Sequence, residues 1–148
     1  MPLYFAYGAN MDIAAMALRC PKSRPLGRGR LARHRFFVME AGWASVAPDP
    51  RATVHGVLWE LDFADVPALD RYEDVGSGLY RKIVQPVLRE PVGSARALVY
   101  IGAQTREGPA QPGYLENVIA AARERRLPTT YVSYLETFLP DRKRDRRP

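Results

Sequence analysis

The chain has 148 residues and a formal net charge of +6, and this length fits a single domain. Hydrophobic residues make up 47% and charged residues 26%, ordinary globular values that exclude disorder as the main state. Apolar runs are too short to cross a membrane, and Met1–Ala6 lacks the basic and apolar parts of a secretory signal, so we expect a cytoplasmic protein with no membrane partner.

Two predicted elements open the chain. Leu3–Tyr7 is a short apolar and aromatic run, which predicts a strand that enters a tight turn at the glycine after it. Asn10–Leu18 has the pattern of a short helix, and either Asn10 or Asp12 can cap its first turn. The sequence therefore predicts a strand–turn–helix unit.

The middle of the chain alternates polar and apolar stretches. Pro21–Gly29 is rich in Pro, Gly and Arg, which predicts a loop, and Arg35–Met39 predicts a strand. Val54–Leu61 is a nearly continuous apolar run, typical of a strand that is buried on both faces. Asp65–Tyr72 predicts a short helix, with Asp65 as its cap and a proline in its first turn.

Two strands and two helices complete the pattern. Tyr80–Leu88 alternates in polarity and Ala95–Ile101 is largely apolar, so both predict strands. Beyond them apolar residues recur at helical spacing in two segments, the first ending at Leu127-Pro128 and the second capped by Thr129 or Thr130. About five strands and four short helices, with no internal repeat, predict an α+β fold.

Basic residues are concentrated in two stretches. Arg19–Arg35 holds seven basic residues and no acidic one, and residues 141–148 hold five basic residues against two acidic ones. We expect residues 1–140 to form the domain and residues 141–148 to be a disordered tail. Both stretches can attract phosphates, but the tail has no aromatic residue for base stacking and no nucleic-acid signature is visible. A solvated loop and a frayed tail are therefore favoured, and nucleic acid is not expected as a partner.

The turn Tyr7-Gly8-Ala9-Asn10 is the first candidate site. Glycine can adopt a positive φ and lets a ligand approach the backbone closely. The first N–H groups of the helix that follows have no partner inside the helix and carry partial positive charge. Such a turn can bind a carboxylate or a developing oxyanion, although the stretch alone is more typical of a plain strand-to-helix turn.

Glu73 is the second candidate. It falls near the end of the predicted helix Asp65–Tyr72, where the helix dipole disfavours an anion and raises the pKa of a carboxyl group. Contact with Tyr72, Tyr80 or Tyr114 would add desolvation, which acts in the same direction. A carboxylate tuned in this way can serve as a general base near neutral pH, whereas most glutamates are solvated surface groups.

Tyr114 is the third candidate, and the other reactive residues offer less. Tyr114 stands at the start of a predicted helix, where its hydroxyl can reach a pocket or pack at the rim of the core. His34 and His55 are the only histidines, too few for a metal site, and a single cysteine, Cys20, excludes an internal disulfide and a cysteine-based zinc cluster. No phosphate-binding loop occurs. We therefore expect no metal and no cofactor.

These signals occur in one order, together with further matching stretches. The stretches are Tyr4–Met11, His55–Leu61, Leu69–Glu73, Gly78–Tyr80, Pro112–Tyr114 and Arg123–Tyr131. In combination they resemble the gamma-glutamylcyclotransferase family, including its AIG2-like relatives. Two positions depart from the family pattern: Ala9 stands where a serine is common, and Arg126 stands where a glycine is frequent.

The resemblance implies a small mixed, partly closed β-barrel with flanking short helices. It also implies an enzyme that cyclises a γ-glutamyl amino acid or γ-glutamyl amine to 5-oxoproline and releases the amine, and it is consistent with a homodimer. By position, Glu73 matches the family's general acid/base. The loop that holds the substrate matches Tyr7, Gly8, Ala9 and Asn10, and Tyr114 matches a tyrosine that contacts the substrate.

Two alternatives stay open. The same scaffold can act on another γ-glutamyl bond, such as the amide of a polyamine, of a lysine side chain or of a biosynthetic intermediate. Alternatively, a binding module has kept the pocket without turnover and is joined to RNA through Arg19–Arg35 and the tail. The joint presence of Glu73 and the Tyr7–Asn10 turn favours the enzyme.

Overall fold

Five strands close into a barrel. In the computed structural model, which describes residues 2–140, they are β1 (Leu3–Ala6), β2 (Arg24–Val38), β3 (Ala44–Glu60), β4 (Tyr80–Arg89) and β5 (Ser94–Gly102). The order around the barrel is β1-β3-β2-β4-β5. β1 and β5 run parallel where the barrel closes, and the other neighbouring strands are antiparallel.

Four α-helices accompany the barrel: α1 (Ile13–Arg19), α2 (Val66–Tyr72), α3 (Tyr114–Glu124) and α4 (Thr129–Glu136). α1 is capped by Asp12, one of the two predicted caps, whose carboxylate accepts hydrogen bonds from the N–H groups of Ala14 and Ala15. Among residues 2–140 no helix is both long enough and apolar enough to cross a bilayer. The predicted α+β class, a barrel with flanking short helices, is confirmed.

The loop predicted at Pro21–Gly29 is wrong, because β2 already begins at Arg24. Gly27 has a φ of +126° and lies at a register shift in the pairing of β2 with β3, and such a bulge accommodates glycine within a strand. A Cβ at Gly29 would meet the side chain of Leu58 at 3.1 Å. The glycines that predicted a loop therefore serve a bulge and tight packing.

The basic segment Arg19–Arg35 is accordingly mostly strand rather than a solvated loop. Three of its arginines form ion pairs with glutamates at N–O distances of 2.8 to 3.4 Å: Arg24 with Glu60, Arg28 with Glu90 and Arg35 with Glu107. Part of the positive charge is therefore balanced locally. The tail predicted at residues 141–148 lies outside the described residues.

Two predicted helix caps are wrong. Asp65 precedes α2, but its carboxylate makes no cap bond there. It accepts hydrogen bonds from the N–H of Lys22 at 2.9 Å and from the hydroxyl of Ser23 at 2.8 Å, which tie the start of α2 to the connection between α1 and β2. Thr129 is the first residue of α4, and no side chain caps that helix.

Close packing of β3 on β1 positions the first candidate loop. A Cβ at Gly56 would lie 2.3 Å from the carbonyl oxygen of Ala6, so glycine is needed for this approach. The indole N–H of Trp59, also in β3, donates to the carbonyl of Asn10 at 3.1 Å. The loop after β1 is therefore held against β3 where it leaves the barrel.

Candidate active site

Every residue predicted for the site lines one cavity of about 220 Å³. Its lining includes the candidate loop, the candidate carboxylate and the candidate tyrosine, namely Tyr7, Gly8, Ala9, Asn10, Glu73 and Tyr114. The cavity is small beside the ~300–1,000 Å³ of clefts that hold drug-sized ligands. The fold thus brings together three segments that lie far apart in the chain.

The absence of a side chain at Gly8 makes room for Tyr114. The φ of Gly8 is −120°, so the turn does not use glycine's access to positive φ, contrary to the argument from sequence. A Cβ at this position would lie 3.0 Å from the hydroxyl oxygen of Tyr114. The missing side chain therefore lets the Tyr114 hydroxyl lie against the loop backbone inside the cavity.

The loop also presents backbone donors. Ala9–Met11 is a single 3₁₀ turn, whose hydrogen bonds use the N–H groups of Met11 and Asp12. The N–H groups of Gly8, Ala9 and Asn10, at the start of the turn, have no acceptor within the described part of the chain. This is the general condition of the first N–H groups of a helix.

The side chain of Asn10 holds the loop in place. It is 2% exposed; its amide nitrogen donates to the hydroxyl of Tyr4 at 3.1 Å, and its oxygen accepts a hydrogen bond from Arg19. Because both ends of the amide are engaged, Asn10 reaches the cavity through its backbone. The loop is fixed by contacts to β1, to α1 and, through Trp59, to β3.

Glu73 directly follows α2, and its backbone N–H donates to the carbonyl of Leu69 at 3.0 Å. Burial raises the pKa of the Glu73 carboxyl to about 7, and the guanidinium of Arg19 opposes that rise. Carboxylate and carboxylic acid are therefore both well populated near pH 7. A group with this pKa can accept a proton and return it at neutral pH.

Six tyrosines surround the cavity: Tyr4, Tyr7, Tyr72, Tyr80, Tyr100 and Tyr114. Three of their hydroxyl protons are committed, because Tyr7 donates to the carbonyl of Tyr100, Tyr80 donates to the carbonyl of Ala44, and Tyr100 donates to Asp70 at 2.6 Å. Burial raises the pKa of each of these three hydroxyls. These three tyrosines are therefore neutral at pH 7 in the lining that they share with Glu73.

Sequence reasoning predicted only some of the aromatic residues that line the cavity. Tyr72, Tyr80 and Tyr114 line the cavity with Glu73, as proposed. Tyr4, Tyr100 and Trp43 were missed, because a strand pattern does not distinguish a cavity-lining aromatic residue from a core residue.

Two charged residues beside Glu73 were also missed. Asp74 lines the cavity, and its adjacency to Glu73 in the chain was an available signal. Arg19 was counted only with the basic segment, yet its guanidinium carbon lies 3.6 Å from the centre of the Tyr72 ring. The sequence shows no feature that separates this arginine from its basic neighbours.

Two residues that the sequence argument set aside lie outside the cavity lining. Burial raises the pKa of the Cys20 thiol to about 11, so the thiol is protonated at neutral pH and is a poor nucleophile. His55 lies in β3, and its ring packs on Tyr131 with 4.8 Å between ring centres. Its packing role, predicted from the apolar strand, is confirmed.

Comparison with known proteins agrees with this architecture. The model of the AIG2-like family matches residues 53–135. Human gamma-glutamylcyclotransferase is 26% identical over an alignment that covers 94% of this chain and 79% of the human protein. A solved gamma-glutamyl cyclotransferase matches with a TM-score of 0.87 and 25% identity, covering 95% of this chain and 89% of its own. The crystal structure of an uncharacterised human protein matches with a TM-score of 0.85 and 27% identity, covering 94% and 88%.

The closed barrel and its short helices thus define a protein with the fold of a solved gamma-glutamyl cyclotransferase. Because the family model spans more than half of its length, the chain belongs to the AIG2-like family. The resemblance noted in the sequence is confirmed. The relatives are named as gamma-glutamylcyclotransferases, which confirms the predicted class of enzyme.

The two departures from the family pattern fall in different places. Ala9 lines the cavity, so the absent serine hydroxyl removes a polar group from the site and leaves the backbone donors. Arg126 follows α3 with a φ of 58°, the left-handed conformation in which helices often end at a glycine. The second departure therefore concerns the end of the helix.

Proposed function

We propose that this protein converts a γ-glutamyl amino acid or γ-glutamyl amine to 5-oxoproline and the free amine, with Glu73 as the general acid/base. One observation carries the proposal. A glutamate with a pKa of about 7 and the backbone donors of Gly8, Ala9 and Asn10 line the same cavity. Membership of the AIG2-like family supports the same reaction.

The reaction needs positioning above all. The α-amine of the glutamyl unit attacks its own γ-carbonyl carbon and closes a five-membered ring. Because both groups belong to one molecule, well-oriented attack reaches effective molarities of ~10⁵–10⁸ M. A small cavity walled by tyrosines favours the folded conformation of the substrate over the extended one.

Glu73 moves the proton in both halves of the reaction. As a carboxylate it accepts the proton that the α-ammonium loses before attack. Formation of the new C–N bond places negative charge on the carbonyl oxygen, and the N–H groups of Gly8, Ala9 and Asn10 stabilise it. When the bond to the leaving nitrogen breaks, Glu73 returns the proton to that nitrogen and is a carboxylate again. The new ring nitrogen loses its second proton as the lactam forms, and the released amine takes up that proton and departs as an ammonium ion.

The tyrosines at the loop have different parts in this proposal. The Tyr114 hydroxyl accepts a hydrogen bond from the N–H of Ala44 at 3.3 Å, and its own proton is available to the substrate. Tyr7 donates its proton to the carbonyl of Tyr100. We therefore assign a direct polar contact to Tyr114 and a shape-defining contact to Tyr7.

The substitution Glu73→Gln tests the proposal, because the amide has nearly the same shape but cannot accept the proton. We expect kcat for 5-oxoproline release to fall ~10²–10⁴-fold, with an unchanged circular dichroism spectrum. Glu116→Gln makes the same change at an exposed position of α3 outside the cavity lining, and it should retain wild-type activity. A Glu73→Gln variant that cyclises substrate at the wild-type rate would show that Glu73 is not the base.

The binding-module alternative gains no support from the basic segment, because three of its arginines are paired with glutamates. The cytoplasmic location and the homodimer stay predictions. Light scattering coupled to size-exclusion chromatography measures the mass of the particle in solution and therefore tests the homodimer.

A further inference from the structure

A second concave surface, a groove of about 480 Å³, forms where the end of α3 meets the first residues of α1 and β2 and the turn after β4. Its volume falls in the ~300–1,000 Å³ range of pockets that hold small molecules. Within residues 2–140, it shares no lining residue with the tyrosine-lined cavity. We call it the basic groove, because its charged side chains are three arginines and two glutamates: Arg28, Arg125, Arg126, Glu90 and Glu124.

Two of the three arginines have no acidic partner. Arg28 pairs with Glu90 at 2.8 Å between Nε and Oε2, so these two charges balance each other. Arg125 and Arg126 form no ion pair within residues 2–140. Glu124 is the one acidic group in the lining that remains to oppose them. The groove therefore carries an excess of positive charge on guanidinium groups that a ligand can bind.

The end of α3 by itself disfavours an anion, because the last carbonyl groups of a helix carry partial negative charge. Arg28 opposes that charge, since its Nη1 donates to the carbonyl of Arg126 at 2.8 Å. The N–H groups of Arg125 and Arg126 donate to the carbonyls of Ala121 and Arg123. The backbone at this helix end is thus satisfied, and the arginine side chains are the groups that meet a ligand.

Arg126 has a backbone conformation that favours glycine. Its φ is 58°, and helices that end in this left-handed conformation usually place a glycine there. A side chain at such a position costs strain, which persists mainly where the side chain has a function. Arg33 has a similar φ of 60° but lines neither the cavity nor the groove, so the angle alone does not mark a site. At Arg126 the strain coincides with an unpaired guanidinium in a groove.

The uncharged part of the lining is aliphatic. Val57 is buried and Ile13 is half-buried, and the exposed rings of Pro25 and Pro91 also line the groove. No aromatic residue lines it within the described part of the chain, so it offers no surface on which a nucleobase could stack. The groove suits a hydrocarbon chain better than an aromatic ring.

We propose that the basic groove binds an oxyanion, a carboxylate or a phosphate, that carries an aliphatic chain. Guanidinium groups bind both oxyanions through paired hydrogen bonds, and Arg125 and Arg126 supply them. The chain of the ligand lies on Val57 and Ile13. This site is separate from the one at Glu73, so it does not depend on the proposed function.

Three compounds with the same hexyl chain test the class of ligand: hexyl phosphate, heptanoate and hexylamine. In calorimetric titrations of the full chain, both oxyanions should bind at least about 5-fold more tightly than hexylamine, and the tighter of the two identifies the headgroup. Inorganic phosphate, which has no chain, should bind about 10-fold more weakly than hexyl phosphate. Hexylamine binding as tightly as the oxyanions would overturn the anion site, and inorganic phosphate binding as tightly as hexyl phosphate would overturn the aliphatic part.

Two variants place the ligand in the groove. Arg126→Gly removes the guanidinium and keeps the carbonyl that Arg28 binds, so it should weaken binding of hexyl phosphate by about 3–5-fold. Arg33→Gly removes the same charge at a similar φ from an exposed position outside the groove, and it should keep the wild-type affinity. Equal affinity in Arg126→Gly and the wild type would mean that the anion binds elsewhere, which overturns the site.

Thermal unfolding of the same variants separates ligand binding from a structural role of Arg126. Without ligand, both variants should unfold about 2–4 °C above the wild type, because glycine relieves the strain of a positive φ. Hexyl phosphate should then raise the Tm of the wild type and of Arg33→Gly more than that of Arg126→Gly. A Tm of unliganded Arg126→Gly below that of the wild type would show that the Arg126 side chain serves the fold, and would overturn its assignment to a ligand.

Discussion

The interior of the cavity and its mouth are built in opposite ways. In the interior, polar side chains such as Asn10, Tyr7 and Tyr100 are buried and each has a hydrogen-bond partner. The mouth, which we define as Trp43, Tyr72 and Asp74, is exposed. Loss of a buried partner is costly and loss of an exposed group is not. Substitutions in the interior should therefore cost more stability than substitutions at the mouth.

The largest effect on stability is expected from Asn10→Leu. It leaves the buried hydroxyl of Tyr4 and the half-buried guanidinium of Arg19 without the partner that each has now, and an unsatisfied buried polar group costs about 1–3 kcal/mol. We expect the free energy of unfolding, measured in urea, to fall by about 1–3 kcal/mol. Asp74→Asn, at the mouth, should change it by less than about 0.5 kcal/mol. Equal losses in the two variants would contradict the contrast between interior and mouth.

The next effect is a gain of stability in Glu73→Gln that depends on pH. The pKa of Glu73 is raised from 4.5 to about 7 in the folded protein, so the folded state binds the proton more tightly than the unfolded state does. Wild-type stability should therefore fall, relative to the variant, as pH rises from 4.5 to about 7.

We compare the free energies of unfolding of Glu73→Gln and the wild type. Above that pH range the difference should be about 2–3 kcal/mol more in favour of the variant than it is at low pH. Urea unfolding at several pH values measures this. Glu116→Gln, which alters an exposed residue, should follow the wild-type curve. A difference between Glu73→Gln and wild type that does not vary with pH would show that burial does not perturb Glu73.

Gly8→Ala should disturb the geometry of the interior. The added Cβ would lie 3.0 Å from the Tyr114 hydroxyl, so that hydroxyl or the loop must shift. A displacement of this kind can lower kcat/KM for 5-oxoproline release by about 10–100-fold. Gly76→Ala is the matched control, because a Cβ there meets nothing within 4 Å. Equal rates in both variants would mean that the close approach of Gly8 and Tyr114 has no catalytic importance.

The smallest effect is expected from Arg19→Met, which acts on the pH profile. Wild-type kcat/KM should fall as pH drops below about 7, because Glu73 becomes protonated and can no longer accept a proton. Arg19 lowers the pKa of Glu73, so its removal should move this acid limb to higher pH. Arg71→Met, on the exposed part of α2, should leave the limb in place. If the acid limb of the pH profile lies at the same pH in Arg19→Met and in the wild type, Arg19 does not act on Glu73.

Predictions from local patterns agree with the structure where a segment's own residues decide its conformation. Apolar spacing predicted α3, whose Leu115, Val118 and Ile119 are buried, and the cap of α1 at Asp12 forms as expected. The loop predicted over residues 24–29 is wrong, because the glycines there lie at a bulge against β3 and pack on Leu58. Asp65 failed as a cap because distant Lys22 and Ser23 provide donors for its carboxylate.

By itself, the sequence determined the class of fold, through the periodicity of its elements, and the family, through the order of its motifs. Tertiary structure alone decided which side chains surround Glu73. Its pKa depends on its burial by segments that are distant in the chain and on the charge of Arg19. Only the fold likewise places Asp74 and Trp43 in the lining of one cavity, since contacts between distant segments carry no local signal in the chain.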